Sequence, residues 1–226
     1  MNEFRTRSPD RRRWDEQVMR LFVFVVAMFC GASSHADESP VVPPDEFVFC
    51  TVCHGVQLKG NPLIEAPRIS RMEAWYVERQ LHAFKKGWRG RHERDLNGME
   101  MRPMATSLSN DDIEAVAAYV RSVDSERPAK TVQGNAAIGR AHYASCVECH
   151  GENGEGKEAL GAPSLTGVND WYLITQLKNF RDGTRGGSAG DNYGAQMRAA
   201  AQILTNDQAI FDVVSYVSTL PSKQEK

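Results

Sequence analysis

The chain is written twice. A stretch beginning at Cys50 recurs 96 residues later, without a gap, as far as Asp111 and Asp207. Ala66-Pro67 returns as Ala162-Pro163, Trp75-Tyr76 as Trp171-Tyr172, Gln80-Leu81 as Gln176-Leu177, and Arg89-Gly90 as Arg185-Gly186. Met101-Arg102 returns as Met197-Arg198, and Asn110-Asp111 as Asn206-Asp207. Roughly a third of the aligned positions are identical, a self-similarity that composition alone does not produce. At 226 residues the chain therefore divides into two units of about 100 residues, an ordinary domain size.

The repeat opens each time on the same five-residue pattern, Cys50-Thr51-Val52-Cys53-His54 and Cys146-Val147-Glu148-Cys149-His150. Two cysteines separated by two residues and followed at once by histidine form the attachment signature of c-type haem. Two thiols add to the two porphyrin vinyl groups, and the adjacent imidazole reaches the iron from one face. A redox thiol pair or half of a zinc site also begins with CxxC. The duplication, with all that travels beside it, favours two covalently bound haem c groups on Cys50, Cys53, Cys146 and Cys149, with His54 and His150 as iron ligands.

The N-terminus reads as a processing segment. Met19-Arg20 precedes the apolar run Leu21 to Phe29, and Ser34-His35-Ala36 offers a small-x-small cleavage site. Residues 1–36 are expected to be a signal peptide cleaved after Ala36, which exports the protein to the periplasm. The apolar run is shorter than the ~20 residues a spanning helix needs, so membrane association is expected only from an uncleaved signal. Met19 is an alternative start. Of five cysteines, Cys30 leaves with that segment and the other four all sit in the two motifs. Without it the chain keeps 21 basic and 25 acidic groups. No basic run interleaved with aromatics remains, so nucleic acid is not an expected partner.

Neither half alternates apolar and polar residues, so the expected fold is all-α. In the first half, Ser70 to Glu73 reads as a capping box for a helix carrying Ala74, Val77, Leu81 and Phe84, which Gly87 ends. A loop then leads through Met101, in an irregular stretch, to a helix capped at Ser109-Asn110-Asp111-Asp112 with Ile113, Val116, Ala117 and Val120 on one face. The second half repeats this plan, with Thr205 to Gln208 capping a helix that carries Ile210, Val213, Val214 and Val217. It adds a full N-terminal helix over 135–145 where the first half has room for about one turn after Pro43-Pro44. The expected domains are 37–123 and 135–226, joined by a polar, Pro-interrupted linker at 124–134.

Met101 and Met197 lie at the same distance from their own motifs, whereas Met99 and Met104 face Ala195 and Ala200 in the repeat. The duplicated pair is therefore expected to supply the sixth iron ligands. His82, His92 and His142 have no histidine counterpart and are expected to be solvated or locally bonded. Trp75-Tyr76 and its copy are compatible with lining a haem or with plain core packing.

Each half resembles a class I cytochrome c, and the tandem looks like the dihaem cytochrome c4 family. The resemblance rests on CxxCHG, the downstream Ala-Pro, and a Met ahead of the C-terminal helix, and it spans almost the entire chain beyond residue 36. It implies that Pro67 and Pro163 supply backbone carbonyls orienting His54 and His150. It also implies an N-terminal helix crossing the C-terminal one at a small and an aromatic residue. Gly139 and Tyr143 match that crossing. Pro43 and Phe47 stand there in the first half, which leaves Val116 to Val120 without the expected cover. An iron held by His and Met has no vacant position, so the implied role is one-electron transfer between a membrane or periplasmic donor complex and a terminal acceptor such as an oxidase. The alternative is a haem subunit of a periplasmic dehydrogenase; a peroxidase would need an open iron site and is disfavoured.

Overall fold

The computed structural model describes residues 43–221. The signal-peptide reading of residues 1–36 lies outside the described residues. Nine helices form within them: α1 (Val48–His54), α2 (Ala74–Lys85), α3 (Leu96–Ser107), α4 (Asn110–Ser122), α5 (Ala136–Tyr143), α6 (Val147–His150), α7 (Asp170–Arg181), α8 (Asn192–Ala201) and α9 (Asp207–Val217). Single 3-10 turns at Asp45–Phe47, Pro62–Ile64 and Glu158–Leu160 complete the regular structure. The only β pairing among the described residues is two isolated bridges, Asn61 with Ala66 and Lys157 with Ala162. The fold is all-α, and each half packs its own core.

In the first half α2 packs on both α3 and α4. The apolar face of α4 (Ile113, Val116, Ala117 and Val120) is buried against Val77, Leu81 and Phe84. Ser109 caps α4 through its hydroxyl, and Asp112 returns the bond to the Ser109 amide, so this capping box forms as read. In the second half α9 packs on α5 and α7, burying Ile210, Val213, Val214 and Val217. Asn206, the second residue of its expected cap, accepts from the Ala209 amide.

The α5–α9 crossing depends on Gly139. A Cβ there would stand 1.9 Å from the Asp212 carbonyl oxygen, so no other residue lets the helices approach this closely. Tyr143, one turn on, is 2 % exposed, lies against Tyr216, and donates its hydroxyl to the Gly151 carbonyl at 2.7 Å.

The first half has no counterpart to α5 among the described residues, yet its core is closed. Phe47 is buried and stacks on Tyr119 at 5.6 Å. Leu58, which is wholly buried, joins the same cluster. Its counterpart is Gly154, whose missing Cβ would sit 3.5 Å from the Tyr143 hydroxyl and 3.3 Å from Leu220. Both positions take a left-handed backbone, φ 53° at Leu58 and 68° at Gly154. One half fills this corner with a leucine behind a phenylalanine, the other with a tyrosine over a glycine.

Two sequence expectations fail. Ser70 does not cap α2, which starts at Ala74 after Glu73 with no side-chain cap. The Ser70 hydroxyl is engaged instead with the Ser125 hydroxyl at 2.5 Å. Met101 and Met197 lie in regular helices, α3 and α8, not in irregular chain. Gly98 and Pro103 argue against a helix by propensity, but a Cβ on Gly98 would stand 2.2 Å from Asp95 Oδ2, the carboxylate oxygen that accepts the Gly90 amide at 2.8 Å. A Cβ on Gly90 would already stand 2.1 Å from the Gly98 carbonyl, so loop and helix touch through backbone.

Residues 124–134 carry no regular element and are held down by side chains. Arg68, 3 % exposed, donates to the Ser125 hydroxyl and carbonyl at 3.0 and 2.9 Å, to the Ser70 carbonyl at 3.0 Å, and to the Gly167 carbonyl at 2.9 Å. Asp170, also buried, accepts from the Thr131 and Val132 amides at 2.5 and 2.9 Å. Among the described residues no helix is long and apolar enough to cross a membrane.

Candidate haem sites

Each site is built on a short helix and the loop that follows it. Cys50, Cys53 and His54 lie at i, i+3 and i+4 along α1, a spacing that puts all three on one helix face. Cys146 is the N-cap of α6, with Cys149 and His150 at its end, so the second motif presents the same face. Gly55 and Gly151 follow at φ 80° and 81°, turning the chain away immediately after each histidine.

The loop then doubles back. Gly60 donates its amide to the His54 carbonyl at 2.9 Å, and Gly156 donates to that of His150 at 2.8 Å. A Cβ at Gly60 would fall 2.5 Å from the Arg68 amide nitrogen, and one at Gly156 the same distance from that of Ser164. Glycine at these two places lets the return strand close onto the motif. The closure delivers Pro67 and Pro163 to the rings: His54 Nδ1 donates to the Pro67 carbonyl at 2.7 Å, and His150 Nδ1 to the Pro163 carbonyl at 2.9 Å.

Those bonds settle the tautomer. A carbonyl can only accept, so the proton is on Nδ1 and the Nε2 lone pair is free for a metal. Both imidazoles are 6–7 % exposed, and burial holds their pKa below the ordinary histidine value despite the opposing pull of the carbonyl. They are neutral at pH 7, as an iron ligand must be.

The thiols are unpaired. Cys50 and Cys146 are half-buried, Cys53 and Cys149 exposed. Burial pushes the Cys50 and Cys146 thiols up to about 11. A redox-active CxxC needs the opposite, a thiol pKa lowered towards neutrality. Among the described residues no group of three His, Cys, Asp or Glu gathers around either motif as a metal cage. Two thiols on one helix face beside a buried, neutral, correctly oriented imidazole fit a haem attached through thioethers.

The methionines differ in burial. Met101 is half-buried against the first core, and Met197 is half-buried on α8, whereas Met99 and Met104 are exposed. Trp75-Tyr76 and Trp171-Tyr172 pack edge to face within each pair on α2 and α7. His82, on α2, and His142, on α5, lie outside both motifs. His92 accepts the Arg94 amide through Nδ1 at 3.2 Å.

One set of side chains was visible in the repeat without its place being readable. Gln80, Arg89, Gln176 and Arg185 meet where the halves touch, each arginine binding both glutamines. Their identity at the 96-residue offset was the available signal; nothing in one dimension says that the two copies face each other.

Comparison with known proteins bears on both halves. The family model described as Cytochrome c matches residues 47–124 and again residues 136–221. A cytochrome c4 of Pseudomonas aeruginosa is 30% identical over 196 residues, covering 83% of this chain and 91% of that protein. A thiosulfate dehydrogenase electron acceptor of Stutzerimonas stutzeri is 29% identical over 186 residues, covering 77% of this chain and 80% of the other. The crystal structure of reduced recombinant cytochrome c4 from Pseudomonas stutzeri superposes with a TM-score of 0.61 at 27% identity, over 78% of this chain and 95% of that one.

Proposed function

The chain belongs to the cytochrome c family and carries two covalently bound haem c groups, and on that premise we propose that it is an exported electron carrier with the ligand set His54–Met101 and His150–Met197. The observation that carries the histidine half of the assignment is the matched pair of His Nδ1 to Pro carbonyl bonds, which leave a neutral Nε2 lone pair free in both halves, and the methionine half rests on the repeat-matched, half-buried positions of Met101 and Met197.

The bound haem supplies a one-electron couple, ferrous to ferric. The chain's own residues do the rest. Cys50, Cys53, Cys146 and Cys149 anchor the group. The carbonyls of Pro67 and Pro163 fix the rotation of each imidazole and add to its basicity. Met101 and Met197 would supply thioether ligands, which favour ferrous iron and so would raise the potential. Held by a histidine and a methionine, the iron would have no place for a substrate, which makes the protein a carrier and not itself an enzyme.

The partners are redox proteins: a donor complex or a dehydrogenase on one side and a terminal oxidase on the other. The relative named as an electron acceptor of thiosulfate dehydrogenase favours a dehydrogenase as donor. A tightly held subunit co-purifies with a large catalytic partner, and a free carrier does not. We divide the chain at 124–134, with haem domains over 37–123 and 135–226.

The test of the ligands is spectroscopic. Met101→Ala and Met197→Ala should each remove half of the thioether-to-iron charge-transfer absorbance at the red edge of the oxidised spectrum, while Met104→Ala leaves it whole. Loss of the band in Met104→Ala would overturn the assignment in the first half.

A further inference from the structure

The second half shows what covers the last helix of such a unit. There α5 crosses α9: a Cβ on Gly139 would stand 1.9 Å from the Asp212 carbonyl oxygen, and one on Gly134, just ahead of α5, 2.4 Å from that of Phe211. Beneath this cover Asp212 is buried, and Phe211 and Ser215 are half-buried. The core residues Ile113, Val116, Ala117 and Val120 of α4 correspond to Ile210, Val213, Val214 and Val217 of α9. In that register the covered positions become Glu114, Ala115 and Ala118, and all three are exposed. Phe47 and Leu58 close the first core, yet this face of α4 stays bare among the described residues.

The bare face is polar in a definite order. Asp111, Glu114, Ala118 and Arg121 follow one another at three- and four-residue spacing, so they share one side of α4. Acid stands towards the N-terminal end and base towards the C-terminal end, with alanine between. Among the described residues Asp111, Glu114 and Arg121 make no ion pair within 4.0 Å. Arg121 donates only to the Arg71 carbonyl, at 2.8 Å. Arg71 and Asp124 pair with each other, which leaves Arg121 as the uncompensated cation of that end. The covered helix has no such order, since Phe211, Ser215 and Ser218 stand where α4 has Glu114, Ala118 and Arg121.

We propose that the exposed face of α4 docks on the same face of a second copy of this chain, the two helices lying antiparallel across a twofold axis. An isologous contact needs a surface complementary to itself. Turned about an axis between Ala115 and Ala118, α4 sets Glu114 opposite the second copy's Arg121, and Arg121 opposite its Glu114. The alanines at the centre let the two helices come close, and antiparallel helix dipoles attract. An unrelated partner requires a match to its own surface; acid and base mirrored about a small-residue centre are what a copy requires. The chain's own N-terminal residues are too few to replace α5. On the reading that cleavage follows Ala36, six residues precede Pro43 and one of them is Pro40, fewer than two helical turns. The 13 residues of α4 offer a face about 20 Å long. One helix face of that length buries less than the ~1,000 Å² a permanent interface clears, so the pairing is reversible and rises with concentration.

The experiment is sedimentation velocity on the exported holoprotein from about 1 μM to about 1 mM, with intact mass reporting attached haems and the N-terminal residue. The wild-type particle should grow from one chain towards two across that range. Ala118→Glu sets two carboxylates against each other at the centre and should hold the protein monomeric. Glu114→Arg and Arg121→Glu should each weaken association about tenfold, because the twofold axis counts every contact twice. Combined in one chain, the two reversals should bring association back to within about threefold of wild type. Arg140→Glu, on the exposed side of α5, should change nothing. A wild-type protein that stays monomeric throughout, an Ala118→Glu variant that still pairs, or a double reversal no better than the single ones overturns the proposal. A monomer whose mass retains residues 1–36 overturns it in favour of the chain's own apolar segment as the cover. None of these outcomes bears on the carrier reading, which the haem count and the ligand spectra test separately.

Discussion

Leu58 offers the sharpest test of how the first half closes without an N-terminal helix. The residue is wholly buried within the cluster that holds Phe47, Ala117, Val120 and Val123, and its backbone is left-handed at φ 53°. Leu58→Ala empties a sealed site beneath Phe47 and keeps the awkward backbone. Truncations of this kind cost about 2–5 kcal/mol, depending on how far the site collapses. Leu58→Gly empties the same site but relieves about 1–2 kcal/mol of left-handed strain, against about 0.4–1 kcal/mol of added freedom in the unfolded chain. The glycine variant should therefore be no less stable than the alanine one, and both should fall well below wild type. A denaturant titration of the holoprotein, followed by circular dichroism, checks this through the midpoint of the first transition at unchanged slope. The mirror change, Gly154→Leu, should destabilise the second half, since Tyr143 and Leu220 already occupy that corner. If Leu58→Ala costs less than about 1 kcal/mol, far under the usual range, Leu58 is not what closes the first core, and the swap with Gly154 carries no weight.

The other predictions concern attachment and the seam. Cys146→Ala with Cys149→Ala should leave one covalently bound haem per chain, on the first half, as read by intact mass; two attached haems would end the reading of two independent motifs. Arg68→Ala should leave the buried Ser70 and Gly167 carbonyls without their guanidinium partner, at about 1–3 kcal/mol each. Limited proteolysis should then cut within 124–134 faster than in wild type, and an unchanged cleavage rate would show that the remaining ties, at Asp124, Arg127 and Thr131, hold that segment without Arg68.

The parts legible in the sequence are those fixed by short-range chemistry. The CxxCH face needs only helical spacing, and the Ser109 capping box needs only residues three apart. The α3 helix was illegible because Gly98 and Pro103 carry the wrong propensity, and the reason for tolerating Gly98 is the Asp95 carboxylate packed against it, which is committed to the Gly90 amide. Ser70 looked like a cap because nothing local reveals that its hydroxyl is spent on Ser125. The closure of the first core was unreadable for a similar reason. Phe47 against Tyr143 looked like a loss, and only the fold shows that Leu58 and Gly154 differ in the compensating direction.

The residues kept at the 96-residue offset sort by where they end up. Gly60 and Gly156, with Pro67 and Pro163, close the loop onto each histidine; Gln80, Arg89 and their copies close the seam. Both groups face inward, towards the haem sites or towards the other half, where a change in one copy is felt by the other. The outward positions of the motifs have drifted instead. Val52 and Val56 are 75 % and 55 % exposed, while their counterparts Glu148 and Glu152 are exposed acids. An apolar rim attracts a partner through buried area, with little dependence on salt. An acidic rim steers a basic partner from a distance and loses that effect as ionic strength rises. The two motifs thus hold their cofactors by the same contacts and present unlike surfaces to whatever docks beside them, which is the arrangement a carrier needs if it is to receive from one protein and deliver to another.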